Sequence, residues 1–106
     1  MRPLAVLYGT AVYSWGVDFE WDPLKAAGNL AKHGVDFDTA AAVFDDPDRL
    51  VIVDDRRSYG ELRYQSVGLV AGVVLFVAYT LRGDICRIIS ARKANRHERE
   101  AYALQA

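Results

Sequence analysis

Residues 73–102, VVLFVAYTLRGDICRIISARKANRHEREAY, decide the fold. Residues 73–79 are apolar at every position, so the two-residue alternation of a half-exposed strand is lost and both faces of this strand are expected to be covered. Arg82-Gly83-Asp84 supplies a hairpin connection, with Gly83 able to take positive φ, and residues 85–91 return as a β-branched antiparallel partner. That return strand leaves through Ser90-Ala91-Arg92-Lys93. Asn95 followed three residues later by Glu98 is a capping-box start for a last helix running towards Gln105. The densest basic run of the chain falls here too: Arg87, Arg92, Lys93, Arg96 and Arg99.

A chain of 106 residues suffices for one domain with one core and is too short for two. With 52% hydrophobic and 25% charged residues, it has the composition of a globular protein rather than a disordered or membrane one. The single cysteine, Cys86, excludes an intramolecular disulfide, reads as a small core hydrophobe, and fits a reducing, cytoplasmic setting. Net charge is −1, but residues 1–55 carry 4 basic and 10 acidic side chains against 9 and 4 in residues 56–106. A folded domain could therefore present one positive and one negative surface, unless the fold mixes the halves.

Upstream of the deciding stretch, residues 17–21 can form a first strand. Asp22-Pro23 then reads as an N-cap with proline at the first helical position, and Gly34 as the stop. In this helix Ala27, Leu30 and Ala31 make a narrow apolar stripe, while Lys25, Asn29 and Lys32 recur along another face, with His33 at its edge. Asp36 caps a second helix with Phe37, Ala40, Ala41 and Phe44 on one side, ending before Asp46-Pro47. Residues 50–53 form a short strand and residues 61–67 begin the next, with Glu61, Arg63 and Gln65 on one face; Gly68 and Gly72 bracket the connection to the core strand. The order is strand, two helices, a meander of about four strands and a final helix: an α+β domain with an antiparallel sheet, helices on one face and the other free. Residues 1–16 have neither a helix cap nor clean alternation. They are too short to span a bilayer and lack a convincing cleavage region for export.

Chemistry is constrained by what the chain lacks. His33 and His97 are isolated, no His or Cys cluster has ligand spacing, and no phosphate-cradling glycine loop or serine elbow occurs. What remains is a set of arginines and lysines with Glu61 and several tyrosines. Such a set suits RNA, whose own 2′-hydroxyl is a nucleophile, so that a protein need supply only a base, an acid and cations for the developing phosphorane charge. Arginine forks pair with phosphate oxygens and aromatic rings stack on unpaired bases.

Specific strings carry more weight than composition: FEWDPLKAAGNLAKHGVDF from Phe19, D.R..YGE.R from Asp54 to Arg63, YT.RG from Tyr79, and RIISARKANRHEREAY from Arg87. Together, in order and with spacing preserved from about Phe19 to Gln105, they closely resemble the BrnT family of toxins. The resemblance implies a small RelE-like fold and metal-independent endoribonuclease activity that arrests translation. It also implies neutralisation by a cognate DNA-binding antitoxin, BrnA, expected as a heterotetramer that represses its own promoter, so that operator DNA is met only through the antitoxin. No cofactor and no membrane partner are implied. Carried over by position, the family's polar motif residues fall on Lys25, Lys32, His33, Arg56, Glu61, Arg63, Tyr79, Arg82, Arg92, Glu98 and Tyr102. Relatives typically begin near the FEWD strand, which makes residues 1–16 a dispensable extension or start-site artefact and residues 17–106 the toxin domain.

The residues themselves refine that list. Glu98 is accounted for by the capping box, and Tyr102, one turn on, by packing of the last helix on the sheet. Arg63, Arg82 and Arg92 come from different sheet elements and lead as phosphate ligands. Glu61 is the candidate general base, or else only a neutraliser of Arg63, with Lys25 and His33 as the alternative catalytic groups; Lys32, Arg56, Tyr79 and Lys93 complete the expected RNA contacts. A non-catalytic module that receives an acidic antitoxin segment or nucleic acid on its basic face remains the rival reading.

Overall fold

The computed structural model describes residues 18–54 and 60–105. Strand β1 (Asp18–Glu20) leads into helix α1 (Pro23–His33), helix α2 (Phe37–Ala41) and a 3₁₀ turn (Ala42–Asp45). Strands β2 (Leu50–Asp54), β3 (Arg63–Val70), β4 (Val73–Arg82) and β5 (Ile85–Lys93) follow, and helix α3 (Arg96–Gln105) closes the chain. The domain is α+β as expected, with strand order β1-β5-β4-β3-β2. The antiparallel meander β2 to β5 is extended by β1, which joins β5 in parallel. The extension expected over residues 1–16 and the candidate Arg56 lie outside the described residues.

Local signals behave as their chemistry requires. Asp22 Oδ1 accepts from the Leu24 N–H at 2.9 Å, Asp36 Oδ1 accepts from the Thr39 N–H at 2.7 Å, and Gly34 ends α1 in the left-handed region at φ 71°. The capping box of α3 is reciprocal: Asn95 Oδ1 accepts from the Glu98 N–H at 2.8 Å and Glu98 Oε1 from the Asn95 N–H at 2.9 Å. Gly68 is not part of a connection, however. It lies inside β3, where a Cβ would come within 2.8 Å of Val43 Cγ1, so its missing side chain is what lets the 3₁₀ turn sit on the strand. The β3–β4 connection is instead Ala71-Gly72, at φ 49° and 84°, the two-residue geometry that matches strand twist.

The register divides the sheet into two faces. On the first, Leu75, Val77, Tyr79, Cys86, Ile88 and Ala91 pack against Val35, Phe37, Ala40, Val43 and Phe44 of the N-terminal half. On the second, Val67, Val74 and Phe76 pack with Ala94 and with Tyr102 of α3. β4 is thus covered on both sides along this part of its length, as its unbroken apolar run requires. The expectation of helices on one face only is corrected, since α3 caps part of the second; no other helix among the described residues covers the remainder. Tyr102 anchors α3 further by donating its hydroxyl to Asp46 Oδ2, and that acceptor pushes its pKa up to about 12.

Helix α1 corrects a second expectation. Leu24 is 84% and Leu30 49% exposed, and Ala27 and Ala31 are exposed as well; the buried residue is Asn29. Its side-chain amide docks on the part of the β5 edge that three-residue β1 leaves unpaired. Nδ2 donates to the Ala91 carbonyl at 2.7 Å and the Val35 carbonyl at 3.0 Å, while Oδ1 accepts from the Ala91 N–H at 3.1 Å. One side chain here does the work of a missing strand residue, and satisfying three backbone groups outweighs turning a weak apolar stripe inward.

Candidate active site

A bulge in β5 decides which side chains share the open part of the second face. Ala78 pairs with Ser90 but Tyr79 pairs with Ile88, so Ile89 is an extra residue, and Arg87, Ser90 and Arg92 all come to one side although Arg87 and Ser90 are three apart. Across the sheet that side holds Glu20 opposite Arg87, Thr80 opposite Arg87 and Arg82 opposite Ile85, Gln65 opposite Ala78, and Arg63 opposite Asp54. Ala78 and Ser90, both half-buried, give this surface a floor of small side chains, whereas Thr80 is 1% exposed. Longer charged groups stand around it.

Those groups form a chain of ion pairs. Arg82 presents its Nε and Nη2 to Glu61 Oε1 and Oε2, each at 3.3 Å. Its Nη1 lies 3.7 Å from Glu20 Oε2, which also accepts from Arg87 Nη1 at 2.8 Å. The Arg82 guanidinium hydrogen-bonded to Glu61, aided by the charge of Arg63, holds the Glu61 carboxyl below its usual range. Glu61 precedes β3 rather than sitting in it, and its carboxylate is forked with Arg82 from the far end of β4. Thr80 Oγ1 donates to the Leu62 carbonyl at 2.8 Å, which ties the segment carrying Glu61 to the sheet.

Of the other sequence candidates, Arg92 points to the same face but is engaged at its border. Its two terminal nitrogens hold Glu98 at 2.8 and 2.9 Å, and its guanidinium lies 4.1 Å over the Phe76 ring. Glu98 therefore has two duties, capping α3 and tying it to β5. Arg92 keeps the Glu98 carboxyl below its usual range, so the stabilisation from this pair is present above the unfolded carboxylate pKa of about 4.3 and is lost as pH falls through the lower folded value. Thermal unfolding should show Glu98→Gln less stable than the parent by about 1 kcal/mol at pH 7, with the difference shrinking towards pH 3.

Tyr79, an expected RNA contact, is 3% exposed. Its hydroxyl is bonded to Ser66 Oγ at 2.8 Å and its ring is held between Phe44 and Tyr64 at centroid distances of 4.8 and 5.7 Å. No base can reach it, and its place is in the core. Lys93 lies opposite Leu75, so it alternates to the other face from Arg92. On α1, the step of about 100° per residue puts Lys25 and Lys32 on one flank of Asn29, and His33 on the other with Ala26. Since Ala26 turns into the core of the first face, Lys25 and Lys32 lie on the flank towards the open second face, and His33 does not. Glu20 and Arg87 were missed because they meet only through the parallel β1–β5 pairing, which no alternation within either segment reveals.

Residues 21–98 match the family described as ribonuclease toxin, BrnT, of type II toxin-antitoxin systems. The chain belongs to the BrnT family. It is a ribonuclease toxin of a type II toxin–antitoxin system, a class that implies a cognate antitoxin. No curated protein matches the chain. The BrnT match begins one residue after β1 and runs through the capping box of α3, so it includes the strands that carry Arg63, Arg82 and Arg87. No helix among the described residues is long and apolar enough to cross a membrane.

Proposed function

We propose that this BrnT chain is an endoribonuclease that cleaves RNA through the substrate's own 2′-hydroxyl on the uncovered half of its sheet, and that this cleavage arrests translation. The observation that carries the reading is the cluster on that face, in which Arg82, Arg87 and Arg63 surround two carboxylates above small floor residues. In the proposed reaction Glu61 takes the proton of the 2′-hydroxyl and the 2′-oxygen attacks the adjacent phosphorus. Arg63 and Arg82 balance the phosphorane charge, and the 5′-oxygen leaves with a proton from solvent or a rim cation, giving a 2′,3′-cyclic phosphate. No step requires a metal.

The ion pairs in the free protein give this sequence an order. A phosphodiester competing for Arg82 draws the guanidinium from Glu61. The carboxylate then loses the hydrogen bond that depresses its pKa and becomes a stronger base where the 2′-hydroxyl lies. Lys25 and Lys32, on the flank of α1 nearest the open face, extend the positive rim, and Arg56 is a further contact for a longer RNA. Arg92 frames the site through Glu98. The partner is proposed to be a BrnA-like DNA-binding antitoxin that joins the toxin in a heterotetramer and brings it to operator DNA, in the cytoplasm.

Expression of the chain without antitoxin tests the cellular part of this reading. Incorporation of labelled amino acid should stop within minutes while labelled uridine continues to enter RNA, and co-expressed antitoxin should restore growth. Unimpaired amino-acid incorporation at high toxin levels would refute translation arrest.

A further inference from the structure

Arg87 is absent from the polar positions that the motifs single out, yet it is part of the ion-pair chain on the open face. We propose that Arg87 is a further phosphodiester ligand of the site beside Arg63 and Arg82, that Glu20 is its positioning residue, and that the edge strand β1 therefore completes the active face; this rests on the ribonuclease reading above. Three observations carry it. The bulge at Ile89 turns Arg87 onto the same face as Arg82. Glu20 engages only Nη1 of Arg87, at 2.8 Å, so that among the described residues the rest of the guanidinium edge has no protein acceptor. One oxygen, Glu20 Oε2, lies 2.8 Å from Arg87 and 3.7 Å from Arg82 Nη1, so a single carboxylate aims two guanidiniums at a common space.

A phosphodiester offers two non-bridging oxygens, each able to accept charge-assisted bonds, so arginines from two strands can hold it from two sides. A role limited to stability fits poorly, because a cross-strand ion pair on a partly exposed edge is worth little. Parallel pairing over Asp18–Glu20 is a short ladder, but it is long enough to hold Glu20 opposite Arg87.

The test measures binding of a 2′-O-methyl RNA oligonucleotide, which lacks the nucleophile and cannot be cleaved, as a function of salt, beside cleavage of the unmodified RNA. Arg87→Ala should weaken binding about 10-fold or more and flatten the plot of log affinity against log salt by about 0.7. Arg87→Lys should restore the slope and part of the affinity. Glu20→Ala keeps both arginines charged and removes both the acceptor and a negative charge beside the ligand, so binding should not weaken. It should nevertheless lower kcat about 10-fold, because Arg87 is no longer aimed. Wild-type slope and affinity in Arg87→Ala, or an unchanged kcat in Glu20→Ala, would overturn the proposal, and so would a wild-type protein that binds no oligonucleotide. A wild-type protein that binds but never cleaves would instead overturn the ribonuclease mechanism, with the Arg87 slope still deciding this proposal.

Discussion

Glu61→Gln lowers RNA cleavage by on the order of 10²-fold or more, the usual cost of removing a general base, with the melting temperature little changed. The fold tolerates the substitution because Glu61 stands outside the strands, at a partly exposed position where its pair with Arg82 contributes little stability. The amide keeps the shape and one acceptor for Arg82 but cannot take a proton. Single-turnover cleavage of a short RNA, with circular dichroism on the same preparations, reads both quantities. A near-normal rate would move the base to Lys25, which lies on the flank of α1 towards the open face, rather than to His33, which lies on the other flank.

Asn29→Ala destabilises the domain by about 3 kcal/mol, since it leaves the buried N–H and carbonyl of Ala91 and the carbonyl of Val35 without their present partners. For a domain of this size that is a fall of about 10 °C or more in melting temperature. Leu30→Ala on the same helix, at a half-exposed position, should cost far less. Chemical denaturation of both variants checks the pair: equal losses would mean that α1 is held by its apolar residues after all. The site feels the same contact, because Asn29 seats the helix that carries Lys25 and Lys32.

Much of the fold is legible in the sequence where one short pattern has one physical solution. Asp22-Pro23, Gly34, Asp36 and the Asn95–Glu98 box mark helix ends through hydrogen bonds made within a few residues, and residues 73–79 announce a strand covered on both faces. Where the outcome depends on partners distant in sequence, local pattern misleads. Asn29 is buried and Leu30 half-exposed because of a bond to Ala91, 62 residues away. Gly68 reads as a connector and is a strand residue, for a reason that lies in Val43.

The candidate site divides along the same line. Alternation within a strand suffices to put Arg63 beside Gln65, and the hairpin suffices to bring Arg82 to the end of β4. The bulge at Ile89, the parallel β1–β5 register and the Glu61–Arg82 fork arise from pairing, so Arg87 and Glu20 are invisible to a reading by segments. Tyr79 is a case of correct topology with the wrong role: the strand is where the pattern says, and its side chain alternates into the core beside Ser66 and Phe44.

Incubating the purified chain with a defined RNA in excess EDTA, followed by end-group analysis of the products, distinguishes attack by the 2′-oxygen from metal-dependent hydrolysis. Cleavage should be insensitive to the chelator, and the fragments should end in 2′,3′-cyclic phosphate or its hydrolysed form. Cleavage that needs a divalent metal, or fragments carrying a 3′-hydroxyl and a 5′-phosphate, would contradict attack by the 2′-oxygen; binding without cleavage of free or ribosome-bound message would leave this face a docking surface rather than an active site.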